Sequence, residues 1–460
     1  MGEELIVERR TALPVSAEAA WAWHAAPGFG AFDRLAPPWR RVDVVERPAA
    51  LVNGARLIAR IGVGPFAVRW TADHRDVEPG RGFADIQVDG PFERWVHQHR
   101  FEPRPDGTAE LHDRIVAALP PGLRAARREV TREIARVLAY RHALTAAELA
   151  MHATAASRPR LHVAITGASG LLGSTLVPAL TAGGHRVTKV VRGRPGPSDI
   201  PWDPAGGRLD PERLAGVDAV IHLAGENIGA RWTPERKRRI QESRRDGTRL
   251  LAEAMARASR PPPVLVSVSA VGFYGDRGEE VLTDASPPGE GFLPDVALAW
   301  EAATAAAESA GIRVARPRLG LVMTPRGGLL RRMLPPFRLG LGGRLASGSQ
   351  WQSWLSIDDV VEVMHRGLFD ERLRGSFNAT APEPVRNAGM TRTLAGLLRC
   401  PAVLPVPAAA LRLVFGEMAD QAILASTRAV PARLEGLGHA FRHPKLEAAL
   451  EHLLGRSRAA

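Results

Sequence analysis

The residues best placed to do chemistry stand in HVAITGASGLLG, residues 162–173. Val163, Ala164 and Ile165 lead into Thr166. Gly167, Gly170 and Gly173 follow, and a helical apolar pattern begins at Leu176. A strand, a glycine turn and a helix N-terminus in that order make a cradle for a pyrophosphate. Gly167 permits the tight turn, Gly170 lets the backbone approach the phosphates, and Gly173 lets the helix pack close to the sheet. Unpaired N–H groups and the positive end of the helix dipole then face the anion. The expected cofactor contacts here are Gly167, Ser169, Gly170, Leu171, Leu172 and Gly173.

Two further segments belong to the same reading. The next strand ends at Val190-Val191, and Arg192 follows with Arg194 close by. A site for NAD usually places an acid here to hold the ribose 2′-hydroxyl. None occurs before Asp199, and an arginine pairs instead with a 2′-phosphate. NADP is therefore expected over NAD, the plain alternative being a solvated loop arginine. A third strand, DAVIHLAG, ends on Leu223, Ala224 and Gly225, where glycine lets the chain pass close to the adenine and ribose side.

Other candidates carry less. His97 and His99 share one face of a strand, but spacing indicates no third ligand, so no metal is expected. The glycine-rich stretch LGLGGRLASGSQWQSW, with Arg344, Gln350 and Trp351 in it and Arg338 just ahead, reads as a flexible substrate lid or wall. Asp358 or Asp359 reads as the N-cap of the apolar helix VVEVMHRGL.

These residues need elements to hold them. Residues 1–153 open with a strand and a short helix capped by Ser16. Alternating runs follow: ARLIARIGVG, FAVRWTADHRDV, GFADIQVDG, FERWVHQHRFEP and AELHDRIVAALP. Each is short and bounded by Gly, Pro or Asp, as in an antiparallel sheet. A long amphipathic helix from about Leu123 to Met151 closes the unit. A curved sheet wrapped round a helix leaves an apolar cavity, a usual ligand pocket. Trp21, Trp23, Trp39, Trp70 and Trp95 either line that cavity or fill the core. Residues 154–160 read as a linker. From 161 to 383 strands and helices alternate, which implies a doubly wound parallel sheet. Residues 384–456 form a mostly helical tail. The fold class is thus an α/β Rossmann domain, preceded by an α+β helix-grip domain and followed by a small helical segment.

The totals agree with a multidomain protein, since 460 residues suggest about three domains. No apolar run reaches the roughly 20 residues that a membrane helix needs, and MGEELIVERR has no apolar core for a signal peptide. One cysteine, Cys400, gives neither a disulfide framework nor a metal cluster, so a cytoplasmic location is expected. The net charge of +12 is spread along the chain, and the run Arg236–Arg239 reads as a solvated helix face. No nucleic acid or membrane partner is expected, and the oligomeric state stays open.

The phrases TGASGLLG, DAVIHLAG, SVSAVGFYG and WLSIDDVV resemble the extended short-chain dehydrogenase/reductase superfamily. Within it, HLAGENIGARWTPERKRRIQESR, PPFRLGLGGRLASGSQWQSWLSIDD, FGEMADQAILASTRAVP and GHAFRHP resemble the atypical epimerase-like family called YfcH-type, with its uncharacterised C-terminal domain. LAPPWRRV, FADIQVDGPFERWVHQHRF and His112-Asp113 resemble the SRPBCC helix-grip (polyketide cyclase or START-like) domain.

The superfamily implies a Tyr-x-x-x-Lys pair, which this chain lacks. Its lysines are Lys189, Lys237 and Lys445, and four places before them stand His185, Thr233 and Phe441. The resemblance places the pair in FLPDVALAWEAA, where Val296 and Trp300 have the spacing and neither transfers protons. It also implies that Ser269 hydrogen-bonds a substrate oxygen. Tyr274, the only tyrosine of that domain, is the expected displaced acid/base, and Glu301 is a further candidate; the alternatives are a packed aromatic and a solvated glutamate. The family pattern carries a histidine just before Ile-Asp-Asp, where this chain has Ser356.

Three readings follow. The first is an NADP(H)-binding, epimerase-like oxidoreductase acting on a small hydroxyl or carbonyl compound or a nucleotide sugar. The second is a non-catalytic NADP-responsive sensor or binding module. The third gives the main task to the N-terminal domain, as a carrier or cyclase for an apolar ligand.

Overall fold

The computed structural model describes residues 4–62, 64 and 67–456. The parts of the expected strands that fall on Val63, Pro65 and Phe66, and the expectation for residues 1–3, lie outside the described residues. The chain divides into two units. One comprises Met1–Arg160 with Pro178–His185 and His452–Ala460, and the other Leu161–Val177 with Arg186–Glu451.

The first unit begins with β1 (Leu5–Leu13), α1 (Ala17–His24) and α2 (Gly30–Leu35). Six strands follow: β2 (Val42–Glu46), β3 (Arg56–Ile61), β4 (Val68–Glu78), β5 (Gly82–Asp89), β6 (Arg94–Pro103) and β7 (Ala109–Ala118). They form one antiparallel sheet in the order β1-β7-β6-β5-β4-β3-β2. Ser16 caps α1 by accepting from Ala19 N–H. Strict in/out alternation along β6 and the first half of β7 turns one sheet face to the core. The long helix α3 (Arg127–Ala153) lies on that face, burying Ile134, Leu138, Tyr140, Leu144 and Leu149. It starts four residues later than expected because a 3₁₀ turn over Pro121–Ala126 precedes it.

The chain from residue 161 on contains β8 (His162–Thr166), α4 (Gly173–Ala182), β9 (Arg186–Val191), β10 (Ile200–Pro201), β11 (Ala219–His222), α5 (Pro234–Arg257), β12 (Val264–Ser267), β13 (Ser269–Ala270), β14 (Val281–Leu282), α6 (Phe292–Ala302), α7 (Ala305–Ser309), β15 (Arg313–Leu319), β16 (Leu321–Met323), α8 (Gly328–Arg338), β17 (Trp351–Gln352), β18 (Trp354–Ser356), α9 (Ile357–Phe369), β19 (Gly375–Ala379), β20 (Val385–Arg386), α10 (Asn387–Leu398), α11 (Ala408–Phe415), β21 (Arg428–Ala429), α12 (Ala432–Gly436) and α13 (Leu446–Leu454). All of it belongs to the second unit except α4 from Pro178 on, with the turn to His185, and α13 from His452 on. The main sheet is parallel, in the order β10-β9-β8-β11-β12-β15, with both β13 and β19 paired to β15. Strand order reverses between β8 and β11, and the carboxyl ends of those two strands mark the crevice where such sheets bind ligands. β8, β11 and β12 are buried almost throughout, as strands covered on both faces must be.

α6 and α7 are parted at Ala303–Thr304. One local expectation is corrected. The N-cap of α9 is Ser356, not Asp358 or Asp359: its Oγ accepts from Asp359 N–H at 3.0 Å and donates to Asp359 Oδ2 at 2.5 Å. Asp359 is instead a fully buried acceptor for Arg442 N–H at 2.6 Å, which ties the C-terminal GHAFRHP segment to this helix. His443 Nδ1 lies 3.1 Å from Ser356 Oγ, so an imidazole reaches this cap from a different segment of the chain.

Candidate functional site

The cradle is built by close backbone approach. Gly167 has φ +68°, the left-handed region that favours glycine. A Cβ there would sit 2.9 Å from Ala224 N and Leu223 C, which shows how closely the turn after β8 meets the end of β11. A Cβ on Gly173 would collide with the Gly167 carbonyl oxygen and with Ala168 Cα. Gly170 differs: its added Cβ would meet only Gly167 O, at 3.2 Å, so its other side is open. Ser169 and Gly170 are exposed. Among the described residues, the N–H groups of Ser169, Leu171 and Leu172 make no hydrogen bond within the protein. Three unpaired donors on an exposed turn ahead of α4 fit a pyrophosphate.

A buried polar pin fixes this turn to β11. Thr166 Oγ1 accepts from Leu223 N–H at 3.1 Å and Ala224 N–H at 3.2 Å, and lies 2.7 Å from His222 Nδ1. With its acceptor sites so used, the hydroxyl proton goes to Nδ1, and His222 Nε2–H donates to Thr248 Oγ1 at 2.9 Å. Burial pushes the His222 pKa down to about 4, with the Arg244 charge adding to it, so the imidazole is neutral at pH 7. The only sequence signal for this pin is a histidine in an apolar strand.

Gly225 continues the chain past β11, and a Cβ there would stand 3.3 Å from Arg244 Cζ. Arg192 is exposed just past β9 and makes no hydrogen bond or ion pair among the described residues. Its guanidinium is thus available to an anion. Leu223 and Ala224 are half-buried beside the cradle.

The expected catalytic residues gather around an arginine that sequence reasoning missed. Ser269, on β13, donates to Glu301 Oε1 at 2.7 Å. Arg318, on β15, donates from Nε to Glu301 Oε1 at 2.8 Å and from Nη2 to Oε2 at 2.9 Å, a bidentate pair. Ser376 donates to Oε2 at 2.7 Å. Arg318 Nη1 also donates to Tyr274 Oη at 3.0 Å, and the guanidinium lies 3.5 Å from the centre of the Phe273 ring. Tyr274 Oη is 2.7 Å from Asn378 Oδ1 and 2.9 Å from the Thr283 carbonyl. β15 carries three arginines, Arg313, Arg316 and Arg318, and nothing in the sequence singles out Arg318 among them.

Electrostatics separates these groups. Burial works to raise the Glu301 pKa, but hydrogen bonds from Arg318, Ser376 and Ser269 outweigh it and hold the carboxyl below its ordinary range. Glu301 is therefore an anion matched to Arg318. Tyr274 is fully buried, and that burial pushes its phenol up against the opposing pull of Arg318. A raised pKa is the opposite of what a proton-transferring tyrosine needs. Val296 and Trp300 are buried on α6, in the places of the absent pair. The Arg244 guanidinium lies 4.9 Å from the Trp300 ring centre.

The stretch expected to be a flexible substrate lid or wall is pinned at several points. Leu345 N–H donates to Asn387 Oδ1 at 2.8 Å, and Ala346 N–H to the Val406 carbonyl at 2.9 Å. Trp351 and Gln352 pair with β20, and Gln350 is buried.

Comparison with known proteins matches three family models: polyketide cyclase / dehydrase and lipid transport over residues 13–143, the NAD dependent epimerase/dehydratase family over 163–378, and a domain of unknown function (DUF1731) over 406–453. An epimerase family protein of Mycobacterium bovis is 40% identical over 296 residues, covering 64% of this chain and 98% of its own. The crystal structure of the nucleoside-diphosphate sugar epimerase from Corynebacterium glutamicum is similar over 98% of this chain and 90% of that one, with 34% identity and a TM-score of 0.80. The human epimerase family protein SDR39U1, crystallised with NADPH, covers 64% of this chain and 99% of its own, with 33% identity and a TM-score of 0.59. The three-part resemblance read from the motifs is borne out.

Proposed function

Because this chain belongs to the NAD dependent epimerase/dehydratase family, we propose that it is an NADP(H)-binding, epimerase-like oxidoreductase acting on a small hydroxyl or carbonyl compound, nucleotide sugars included. One observation carries this most: a glycine cradle with three unpaired N–H donors, close to a strand end followed by an unpaired arginine. NADPH in the human relative's crystal supports the choice of cofactor, and the name of the Corynebacterium protein supports the substrate class.

Ser169, Leu171 and Leu172 would hold the pyrophosphate through their N–H groups, Gly167, Gly170 and Gly173 giving it room. Arg192 would pair with the 2′-phosphate, and Leu223, Ala224 and Gly225 would lie along the adenosine half. Bound nicotinamide would supply or accept a hydride. Ser269 would accept a hydrogen bond from the substrate hydroxyl, since its own proton is committed to Glu301. Glu301 and Tyr274 are positioning residues in this reading. Glu301 fixes the Ser269 rotamer and is fixed by Arg318, while Tyr274 braces Arg318.

The test is NADP⁺ reduction with a panel of hydroxyl compounds and nucleotide sugars, with wild type, Ser269→Ala and Tyr274→Phe. Turnover is expected in the wild type and to fall roughly 10-fold in S269A, the worth of one lost hydrogen bond from the substrate hydroxyl. A brace moves no proton, so Tyr274→Phe should retain most activity. Full turnover in S269A would discard the site assignment, and no wild-type turnover across the panel would favour the binding-module reading.

A further inference from the structure

The N-terminal unit contains a second constellation that the proposed function does not use. It comes from strand register. β5 and β6 pair Asp85 with His97, and β6 and β7 pair His99 with Asp113. Residues at i and i+2 share a strand face, so His97 and His99 stand side by side with a carboxylate opposite each. Their ring centres are 3.9 Å apart. One donor atom from each of Asp85, His97 and His99 lies within 4.8 Å of the others. The sequence showed the histidine pair and hid the third ligand, because Asp85 arrives from the neighbouring strand.

The surroundings suit a metal centre. Ligands at 2.0–2.1 Å in a tetrahedral site stand about 3.3–3.4 Å from one another. His99 Nε2 and Asp85 Oδ2, hydrogen-bonded to each other here, are 3.3 Å apart, and the His97 donor lies within 4.8 Å of both. His99 and Asp85 are each hydrogen-bonded through the far atom, as metal ligands commonly are, and the far atom of His97 approaches Asp113 without a hydrogen bond. His99 Nδ1 is 2.9 Å from Asp113 Oδ1, and His97 Nε2 is 3.3 Å from Asp113 Oδ2. Asp85 Oδ1 is 2.6 Å from His74 Nδ1. Asp113 is in turn 3.3 Å from His142 Nε2, and His142 Nδ1 is 2.9 Å from Thr11 Oγ1. His97, His99 and Asp113 are all buried. A sheet face with so many buried polar groups is costly if packing is its only task.

One side of the cluster is open. Asp85, His99 and His74 form part of the wall of a small cavity of about 60 Å³, which His24, Arg141 and apolar side chains such as Phe32, Leu57 and Phe83 also line. Trp70 and Arg141 line both this cavity and a larger one of about 590 Å³ against α3. Three protein ligands with a free position toward a ligand cavity is the arrangement of catalytic rather than structural zinc sites.

We propose that Asp85, His97 and His99 bind one divalent first-row transition-metal ion, Zn²⁺ being the expected one, with Asp113 and His74 orienting the ligands and the free coordination position facing the apolar cavity. The ligand taken there would be an oxygen donor carried on an apolar body.

The test uses the full chain, stripped with a chelator and titrated with Zn²⁺ by calorimetry and with Co²⁺ followed by its visible absorption. One equivalent of each ion is expected to bind, with Co²⁺ absorption of low-coordinate intensity. Asp85→Asn and His97→Gln should each bind at least ~10–100-fold more weakly, and Asp113→Asn should show a smaller loss within that range. Unchanged circular dichroism and unchanged NADPH affinity confirm that a variant is folded, and His97→Gln decides if Asp85→Asn is not. Failure of the wild type to bind either ion, or equal binding by folded variants, would overturn the proposal.

Discussion

Glu301 and Arg318 set the energetics of the candidate site at the residue scale. Both side chains are almost buried, at 12% and 7% exposure. Removing one charge of such a pair leaves the other buried and unmatched, which costs about 3–5 kcal/mol. Glu301→Gln is therefore expected to lower unfolding free energy by about 3 kcal/mol, at the low end because the amide keeps some hydrogen bonds. E301Q/R318M should recover part of that loss. Urea denaturation checks both, and an E301Q midpoint equal to wild type would contradict the pairing. Ser269, Tyr274 and Glu301 were legible because motif context pointed to them. Their roles were not, because Arg318, Ser376 and Asn378 come from β15 and β19, far along the chain. A strand's polar residue declares its partner only when the neighbouring strand is known.

At the scale of elements, the three glycines do different work. At Gly173 a methyl group would collide with backbone, which no side-chain rotation relieves. Gly173→Ala should shift the turn, lowering both the melting temperature and cofactor affinity. At Gly170 the methyl group has only one neighbour, at 3.2 Å, and otherwise points to open space. Gly170→Ala should keep the melting temperature within a few degrees while weakening cofactor binding. Thermal melts with and without NADPH separate the two, and equal melting of both variants would contradict this division. The strand–turn–helix order was legible because its apolar periods and glycines are local. The cap of α9 was misplaced by two residues or more, because Ser356 and Asp359 bond reciprocally and either could be read as the cap. The pinning of residues 345–352 was illegible because its partners, Asn387 and Val406, lie outside the stretch.

At the scale of the whole molecule, buried neutral histidines make both units sensitive to acid. Burial holds His222 and His24 at about 4 and His152 at about 3, all below the ordinary value of 6.5. Between those values the unfolded chain binds more protons, so stability present above pH 6.5 falls as pH drops toward 4. Each such histidine contributes up to about 1.4 kcal/mol per pH unit in that window. Denaturation at about pH 7, 6, 5 and 4.5 should show a steady loss, and a flat profile would contradict it. No helix among the described residues is long and apolar enough to cross a membrane. The division into an antiparallel helix-wrapped sheet and a parallel doubly wound sheet was legible from the change of period near residue 161. The central claim concerns what the second of these binds. Calorimetric titration of wild type and Arg192→Ala with NADPH and NADH tests it most directly. The wild type should favour NADPH, and R192A should lose roughly 10-fold or more in NADPH affinity, the worth of one charge-assisted hydrogen-bonded contact, with NADH affinity unchanged. Binding of neither nucleotide by the wild type at millimolar concentration, or an undiminished NADPH preference in R192A, would contradict the account.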